Sequence, residues 1–572
     1  MNIKTTLAAG AAIVGTAAFA DFEINLDLGE KPIRDVRTST CGPMVGYAGC
    51  LCENEEYWYV SNKVETARVM REAGAWFQRM WGANRWFRSR TNWHDPNSKD
   101  PKEQKAYMNF RPTHPELIFP FWKENGIKVL FTLECWGDAD EKSAVEFVKW
   151  IVDNNYKDVV AGFEMGNESF YSPNYASLAP RWKRVIDELW KIWPKVPLGI
   201  TLCELFEENP DLTQVRNRML SAGEIKRDGY FSASDCNRYT TQFVVAMSNY
   251  MDKISHVIYH AYGAESPYSC SYHGFKRFRN YIQTMPELKG KQMWLSEIRM
   301  RSDEDNWCQR QFREALIMGH YALTAICQPD FDGYNQHEFA TWSGGLFVSN
   351  GRQFSHQWRT GCWYGGYPDH RSPYNKPRLE AGPMGVMYRI LTEGIIDHPI
   401  ILQHGTSKET GTEDTFYTSA RVTDEVYRRR RAIREGKKPF LGLFGGVPEV
   451  KGEVEWVALT SKSREALCLL MVNSKGEEET VTLRAKGRIF ATPTYQTVSC
   501  PEEFVDCSSV PGDAHPWKEL SWEDSQQGGF DAVRMAMYEG IRPKNDELKI
   551  KVGPHTVQAV TVWTGAAPKP KK

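Results

Sequence analysis

At 572 residues the chain is too long for one ordinary hydrophobic core, so two or more domains are expected. A formal net charge of −1 argues against a general nucleic-acid binder. Aromatic residues are abundant (20 Trp, 25 Tyr, 27 Phe); they fill large cores or form exposed flat platforms, and composition does not separate the two.

The chain opens with Lys4 ahead of the small, apolar run LAAGAAIVGTAAFA, which ends in Ala18-Phe19-Ala20 just before Asp21. A basic start, a short apolar stretch and a small-x-small triplet predict a secretory signal peptide over residues 1–20. The run is shorter than the roughly 20 apolar residues that span a bilayer. The expectation is therefore an exported protein, periplasmic or extracellular, with no membrane span. There are 13 cysteines, an odd number. Cys41, Cys50, Cys52 and the couple Cys500/Cys507 are near enough in sequence to pair, but their spacing does not suit zinc, and the cysteines read as structural.

From about residue 42 to residue 396, short apolar strands alternate with amphipathic helices. The strands are GPMVGYAG (42–49), AWFQRMWG (75–82), IKVLFTLE (127–134), VVAGFEMGNE (159–168), PLGITLCE (197–204), ISHVIYHAY (254–262), QMWLSEIRM (292–300) and FDGYNQHEF (331–339). Between them lie helical patterns such as KVETARVMREAG (63–74), DEKSAVEFVKWIVDNN and RWKRVIDELWKIW. Eight strand–helix units imply parallel strands with helical crossovers, and so an α/β fold, a (β/α)₈ TIM barrel. An open doubly wound sheet is the rival, but no glycine-rich phosphate turn follows the first strand.

After residue 396 the pattern changes to VEWVALTS, EALCLLMVN, EETVTLRA and HTVQAVTVWTG, strand-like runs with turn signals between them. The expected organisation is a catalytic barrel with an N-terminal extension over 21–396, followed by an all-β sandwich over 397–572. Arg428 to Arg431 form a basic run that reads as a solvated helix or loop, with a dock for an anionic glycan as the narrower reading.

In such a barrel, chemistry sits at the C-terminal ends of the strands. The fourth strand ends in Gly166-Asn167-Glu168 and the seventh in Ser296-Glu297; the sixth ends in His260-Ala261-Tyr262. The second carries Arg79, and the eighth carries Asn335, Gln336 and His337. Two carboxylates on the fourth and seventh strands face each other across the mouth. Cleaving a glycosidic bond with retention needs such a pair, about 5–5.5 Å apart, one protonated and one ionised. Arg79 and Tyr262 are the residue types that would keep the nucleophile ionised, and the proximity of the second carboxylate would raise the acid.

The stretches GFEMGNES, HVIYHAY and MWLSE resemble clan A of the glycoside hydrolases, retaining (β/α)₈ enzymes. The resemblance implies that Glu168 is the acid/base and Glu297 the nucleophile, that Asn167 touches the sugar 2-hydroxyl and that Tyr262 contacts the nucleophile. The tail looks like the C-terminal sandwich of arabinofuranosidases, β-xylosidases and heparanase-type glucuronidases within that clan.

Substrate-binding candidates are Trp86 and Trp136, with Trp81 and Trp342 nearby, for stacking, and Asn84, His260, Gln336 and His337 for hydroxyl groups. A neutral β-linked glycan is the default. Arg85, Arg88 and Arg90 near the mouth would suit a uronic-acid or sulfated glycan instead. No metal or other cofactor is called for, because GPMVGYAG offers no His-x-His after the first strand. Nor does a G-x-S-x-G elbow point to a serine hydrolase. The rival from another class is a carbohydrate-binding protein that has kept the fold and lost the chemistry.

Overall fold

The computed structural model describes residues 22–36, 46–48, 77–80, 82–89, 115–169, 178–202, 243–263, 279, 283, 285–300, 312–337, 347–349, 379–381, 383–411, 454–500, 534–543 and 546–566. The leader, the pattern at 63–74, the arginine run and Cys41, Cys50, Cys52 and Cys507 lie outside them. No helix among the described residues is long and apolar enough to cross a membrane.

Two short strands come first, β1 (Phe22–Leu26) and β2 (Arg34–Asp35). Eight parallel strands then pair in a closed ring: β3 (Gly46–Ala48), β4 (Phe77–Met80), β5 (Lys128–Leu133), β6 (Val160–Met165), β7 (Leu198–Thr201), β8 (His256–Gly263), β9 (Gln292–Met300) and β10 (Phe331–His337). These are the eight runs expected from the sequence. Several of them, such as KVLFTL of β5 and VAGFEM of β6, read as near-continuous apolar chain because helices cover the outside while side chains fill the inside. The helices around the ring include α1 (Ala83–Ser89), α2 (Pro115–Glu124), α3 (Asp138–Asp153), α4 (Leu178–Ile192) and α5 (Phe312–Cys327). After β10 come a small hairpin, β11 (Phe347–Ser349) with β12 (Leu379–Ala381), and then α6 (Pro383–Asp397).

Inside the barrel, Phe77, Leu130, Ala161, Ile258 and Trp294 form a compact apolar plug. The Trp294 indole fits only because its neighbours lack side chains. A Cβ on Gly162 would lie 2.2 Å from the ring, and one on Gly199 2.9 Å from it. His256 stacks on the Trp294 ring at 3.6 Å and bonds Asp332 at 2.8 Å.

The remaining strands are β13 (Ile400–Thr406), β14 (Val454–Thr460), β15 (Ala466–Asn473), β16 (Glu479–Ala485), β17 (Arg488–Phe490), β18 (Thr494–Ser499), β19 (Arg534–Glu539), β20 (Glu547–Val552) and β21 (Thr556–Ala566). They build a large sheet, ordered β19-β18-β21-β15-β14-β13-β2, and a small one, β1-β16-β20. The N-terminal extension therefore belongs to these sheets rather than to the barrel. In FEINL the alternation puts Ile24 and Leu26 into the core between the two sheets, with Val481, Leu483, Leu548 and Ile550.

The centre of the large sheet, β14 and β15, is buried on both faces, whereas edge strand β19 is exposed. Trp456, Leu469 and Val560 point to the small sheet, whereas Val457, Leu470 and Val557 join the core that contains α5 and α6. Gly394 lets α6 approach closely, since a Cβ there would lie 2.7 Å from Leu470. A buried polar cluster joins the two parts: Glu455 on β14 accepts from Thr324 at 2.6 Å and bonds His320 at 2.9 Å. Arg34 on β2 donates to the carbonyls of Gln328 and Phe331, tying the first segment to the end of α5.

Candidate active site

Two local distortions deliver the carboxylates. After β6 the chain turns through Gly166 at φ +85°, where a Cβ would lie 2.2 Å from the Ser169 hydroxyl. Glu168 itself sits at φ +44°, a left-handed conformation that costs a residue with a side chain about 1–2 kcal/mol. On the opposite side, the pairing of β8 with β9 shifts register between Tyr259/Leu295 and His260/Glu297. That irregularity allows two successive residues to point inward. Ser296 reaches Glu164, and Glu297 reaches Arg79.

Arg79 is 1 % exposed and spends its guanidinium on three partners. Nε donates to Glu164 at 2.5 Å, Nη1 to Glu297 at 2.9 Å and Nη2 to the Asn167 side chain at 2.6 Å. Asn167, Glu297 and Arg79 are thus held as one unit. His260, also buried, bonds Glu168 through Nδ1 at 3.0 Å and Glu164 through Nε2 at 3.2 Å, and its Nδ1 lies 3.6 Å from Glu297.

Glu164, in the middle of β6, is the residue that sequence reasoning missed. It is fully enclosed and also accepts from Thr132 at 2.9 Å, Thr201 at 3.2 Å and Ser296 at 3.4 Å. Burial pushes its carboxyl up, but the charges and hydrogen bonds of Arg79 and His260 outweigh that and bring it down to about 2. The signal was present: an acid inside a fully buried strand must be paired, and a parallel barrel strand offers partners only in the interior. Glu134, at the end of β5, was missed for the same reason. It accepts from the Trp136 indole at 2.7 Å and from the Asn167 backbone N–H, and burial raises its carboxyl.

His260 is an imidazolium. Burial works against the charge, yet Glu297 and the hydrogen bonds to Glu164 and Glu168 hold it up at about 10. Glu168 departs from the sequence expectation. Proximity to a second carboxylate was to raise it, and burial does push upward, but the His260 hydrogen bond and the charges of His260 and Arg79 bring it below the usual value. In the resting site Glu168 is ionised. Oxygens of Glu168 and Glu297 and a nitrogen of His260 all lie within 4.8 Å of one another. Such a trio has the spacing of a cation site, but both ring nitrogens face carboxylates and Arg79 and His260 already supply positive charge.

The other expected site residues divide. Trp136 is half-buried at the mouth beside Glu134. Asn84 is not available to a ligand. It is fully buried, with its amide nitrogen on the Glu134 and Asp140 carbonyls and the Ser143 hydroxyl, and its oxygen accepting from the Glu134 N–H at 2.7 Å. Trp86 is a core residue, edge-on to Phe147 with centroids 6.1 Å apart. On a short helix beside the mouth, local sequence does not reveal which face turns inward. Arg85 and Arg88 both pair with Asp140, at 2.7 and 3.0 Å. Tyr262, Gln336 and His337 have described backbone only, on β8 and β10, so their side chains lie outside the described residues, as do Trp81, Arg90 and Trp342. The thiols of Cys135, Cys327 and Cys468 are buried and pushed up by that burial, which makes them inert packing.

Solved structures of glycoside hydrolases share this fold, a closed parallel barrel with β-sheets behind it. An α-L-arabinofuranosidase from Thermotoga maritima, in complex with arabinose, matches with a TM-score of 0.56 over 95 % of this chain and 100 % of its own, at 10 % identity. A family 51 α-L-arabinofuranosidase from Bifidobacterium longum matches with a TM-score of 0.54 over 94 % and 99 %, at 12 % identity. An enzyme of glycoside hydrolase family 39 from Xanthomonas axonopodis pv. citri gives 0.52 over 97 % and 100 %, at 10 % identity. No protein-family model matches the sequence, and no curated protein is similar to it.

Proposed function

We propose that this chain is an exported retaining glycoside hydrolase, with Glu297 as nucleophile and Glu168 as acid/base. The observation that carries the reading is the pair of carboxylates from β9 and the end of β6. Their oxygens lie within 4.8 Å, nearer the roughly 5–5.5 Å separation of retaining pairs than the roughly 6.5–9.5 Å of inverting ones. Arg79 keeps Glu297 oriented and holds Asn167 on the same guanidinium, which supports a role for Asn167 in binding a sugar hydroxyl. A neutral glycoside fits better than an anionic one, because Arg85 and Arg88 are engaged with Asp140. α-L-Arabinofuranosides are the first substrates to try, given two of the structures that share the fold.

One feature favours the binding-protein reading: the His260 hydrogen bond and the charges of His260 and Arg79 hold the Glu168 carboxyl below its usual value, whereas the first chemical step needs it protonated. The experiment is sugar release from a panel of aryl glycosides and polysaccharides by the wild type, Glu297→Gln and Glu168→Ala. Release by the wild type, loss in both variants and rescue of Glu168→Ala by azide support the assignment. Equal release by wild type and Glu297→Gln would sink it, and retention of glycan binding without release by any protein would favour the binding reading.

A further inference from the structure

Three groups lie in line beneath the barrel mouth: Glu164 Oε1, the His260 ring and Glu168 Oε1, with contacts of 3.2 and 3.0 Å. Glu164 is ionised and surrounded by donors, so toward Nε2 it acts only as an acceptor. That pins one proton on Nε2 and leaves Nδ1 as the position from which a proton can move. Nδ1 has two carboxylates before it. Glu297 is the farther at 3.6 Å and already accepts from Arg79, so the short contact leads to Glu168.

Building on the reading of Glu168 as the acid/base, we propose that His260 is the proton store for Glu168. Before cleavage the Nδ1–H bond breaks and an O–H bond forms on Glu168, leaving a neutral imidazole whose Nε2–H stays on Glu164. Glu168 then gives this proton to the glycosidic oxygen as the C–O bond breaks and the anomeric carbon bonds to Glu297. In the second half, a water loses its proton to Glu168 as its oxygen displaces Glu297. That proton returns to Nδ1, so one water is consumed and the site is restored.

The charges agree with this route. The groups facing His260 are Glu164 and Glu168 from β6 and its end, Glu297 from β9 and Arg79 from β4. Moving the proton discharges His260 and Glu168 together and leaves the total charge of the five groups unchanged. With His260 held up at about 10 and Glu168 below its usual value, the transfer is uphill in the resting site, but its cost does not grow with pH for as long as His260 keeps that proton. His260 would thus supply the acid form of Glu168 at neutral and alkaline pH.

Two experiments test the store. The first needs no substrate: ¹⁵N NMR of histidine-labelled protein should show both His260 nitrogens protonated from about pH 6 to about pH 9. Glu168→Gln, which removes one anionic partner, should lower that titration by about one unit or more. A neutral His260 ring at pH 7 in the wild type would overturn the proposal. The second compares His260→Gln with wild type on 2,4-dinitrophenyl and alkyl glycosides of the sugar that the wild type cleaves. Gln can still donate to Glu168 but cannot surrender a proton. On the dinitrophenyl glycoside, whose leaving group needs no protonation, kcat/KM should stay within about threefold of wild type. On the alkyl glycoside it should fall by about 100-fold at pH 8 and recover toward pH 5, as solvent protonates Glu168. An equal loss on both glycosides at every pH would mark a merely structural histidine and overturn the store. Silence of the wild type on every glycoside would count against the hydrolase reading instead, and the NMR titration would then decide the store by itself.

Discussion

Nη1 of Arg79 donates to Oε2 of Glu297 at 2.9 Å, with Arg79 1 % and the Glu297 side chain 9 % exposed. The same guanidinium holds Glu164 and Asn167, so its planar fork sets the relative positions of three side chains from two strands. A lysine offers a point charge and no fork. Arg79→Lys is expected to lower kcat/KM by about 100-fold or more, with KM changing less than kcat. It should also weaken the fold by about 1–3 kcal/mol, since the ammonium keeps the charge but cannot replace all three hydrogen bonds that the guanidinium gives to Glu164, Glu297 and Asn167. Steady-state kinetics and urea unfolding check the two parts, and wild-type kinetics in this variant would remove Arg79 from the site's working parts.

The network predicts a stability window in pH. Glu164 is depressed from 4.5 to about 2, so its contribution is whole above its unfolded value and is lost as pH falls through that interval. His260 is raised from 6.5 to about 10, so its contribution is whole below 6.5 and is lost as pH rises toward 10. Unfolding free energy measured against pH should therefore be greatest between about 4.5 and 6.5 as far as these two groups decide it. Glu164→Gln should flatten the acid limb; an unchanged limb in that variant would show that other carboxylates set it.

The barrel plug offers a test of packing. Gly162→Ala places a methyl 2.2 Å from the Trp294 ring, and the expected cost is about 1–3 kcal/mol. Trp294→Phe removes the atoms in the way, so the double variant should be more stable than the sum of the single effects predicts. Strict additivity in a double-mutant cycle would contradict the fit described for this layer.

Asn84→Ala separates structure from binding. Its amide closes the turn between β5 and α3 through Glu134, Asp140 and Ser143, so the variant should lose about 1–3 kcal/mol. Its KM should stay near that of wild type; a large rise in KM with full stability would restore the ligand role read from sequence.

Much of this was legible in the chain. Most of the barrel strands announce themselves because both faces are covered, and Glu168 and Glu297 stand out as acids, the first just beyond β6 and the second within β9. Less legible was anything that depends on which way a side chain points. Trp86 and Asn84 have the residue types of a sugar subsite, yet helix α1 turns them into the core. Glu164 sits within an apolar run and is easily passed over, although its burial among donors makes it the anchor of the site. The pairing of β1 with β16 had no local signal at all, since it joins Phe22 to Val481 across most of the chain.

That last pairing has a consequence for how the molecule comes into being. Strand β1 leaves the ribosome hundreds of residues before the edge it needs, on β16, and β20 follows later still. The barrel can close around its own short-range strand–helix units while β1 waits with Ile24 and Leu26 uncovered. Completion of the small sheet is thus a late, long-range event, and it fastens the beginning of the chain to its final quarter. A strand kept waiting in this way is exposed to mispairing, which makes the interval before β16 arrives the vulnerable one in biosynthesis.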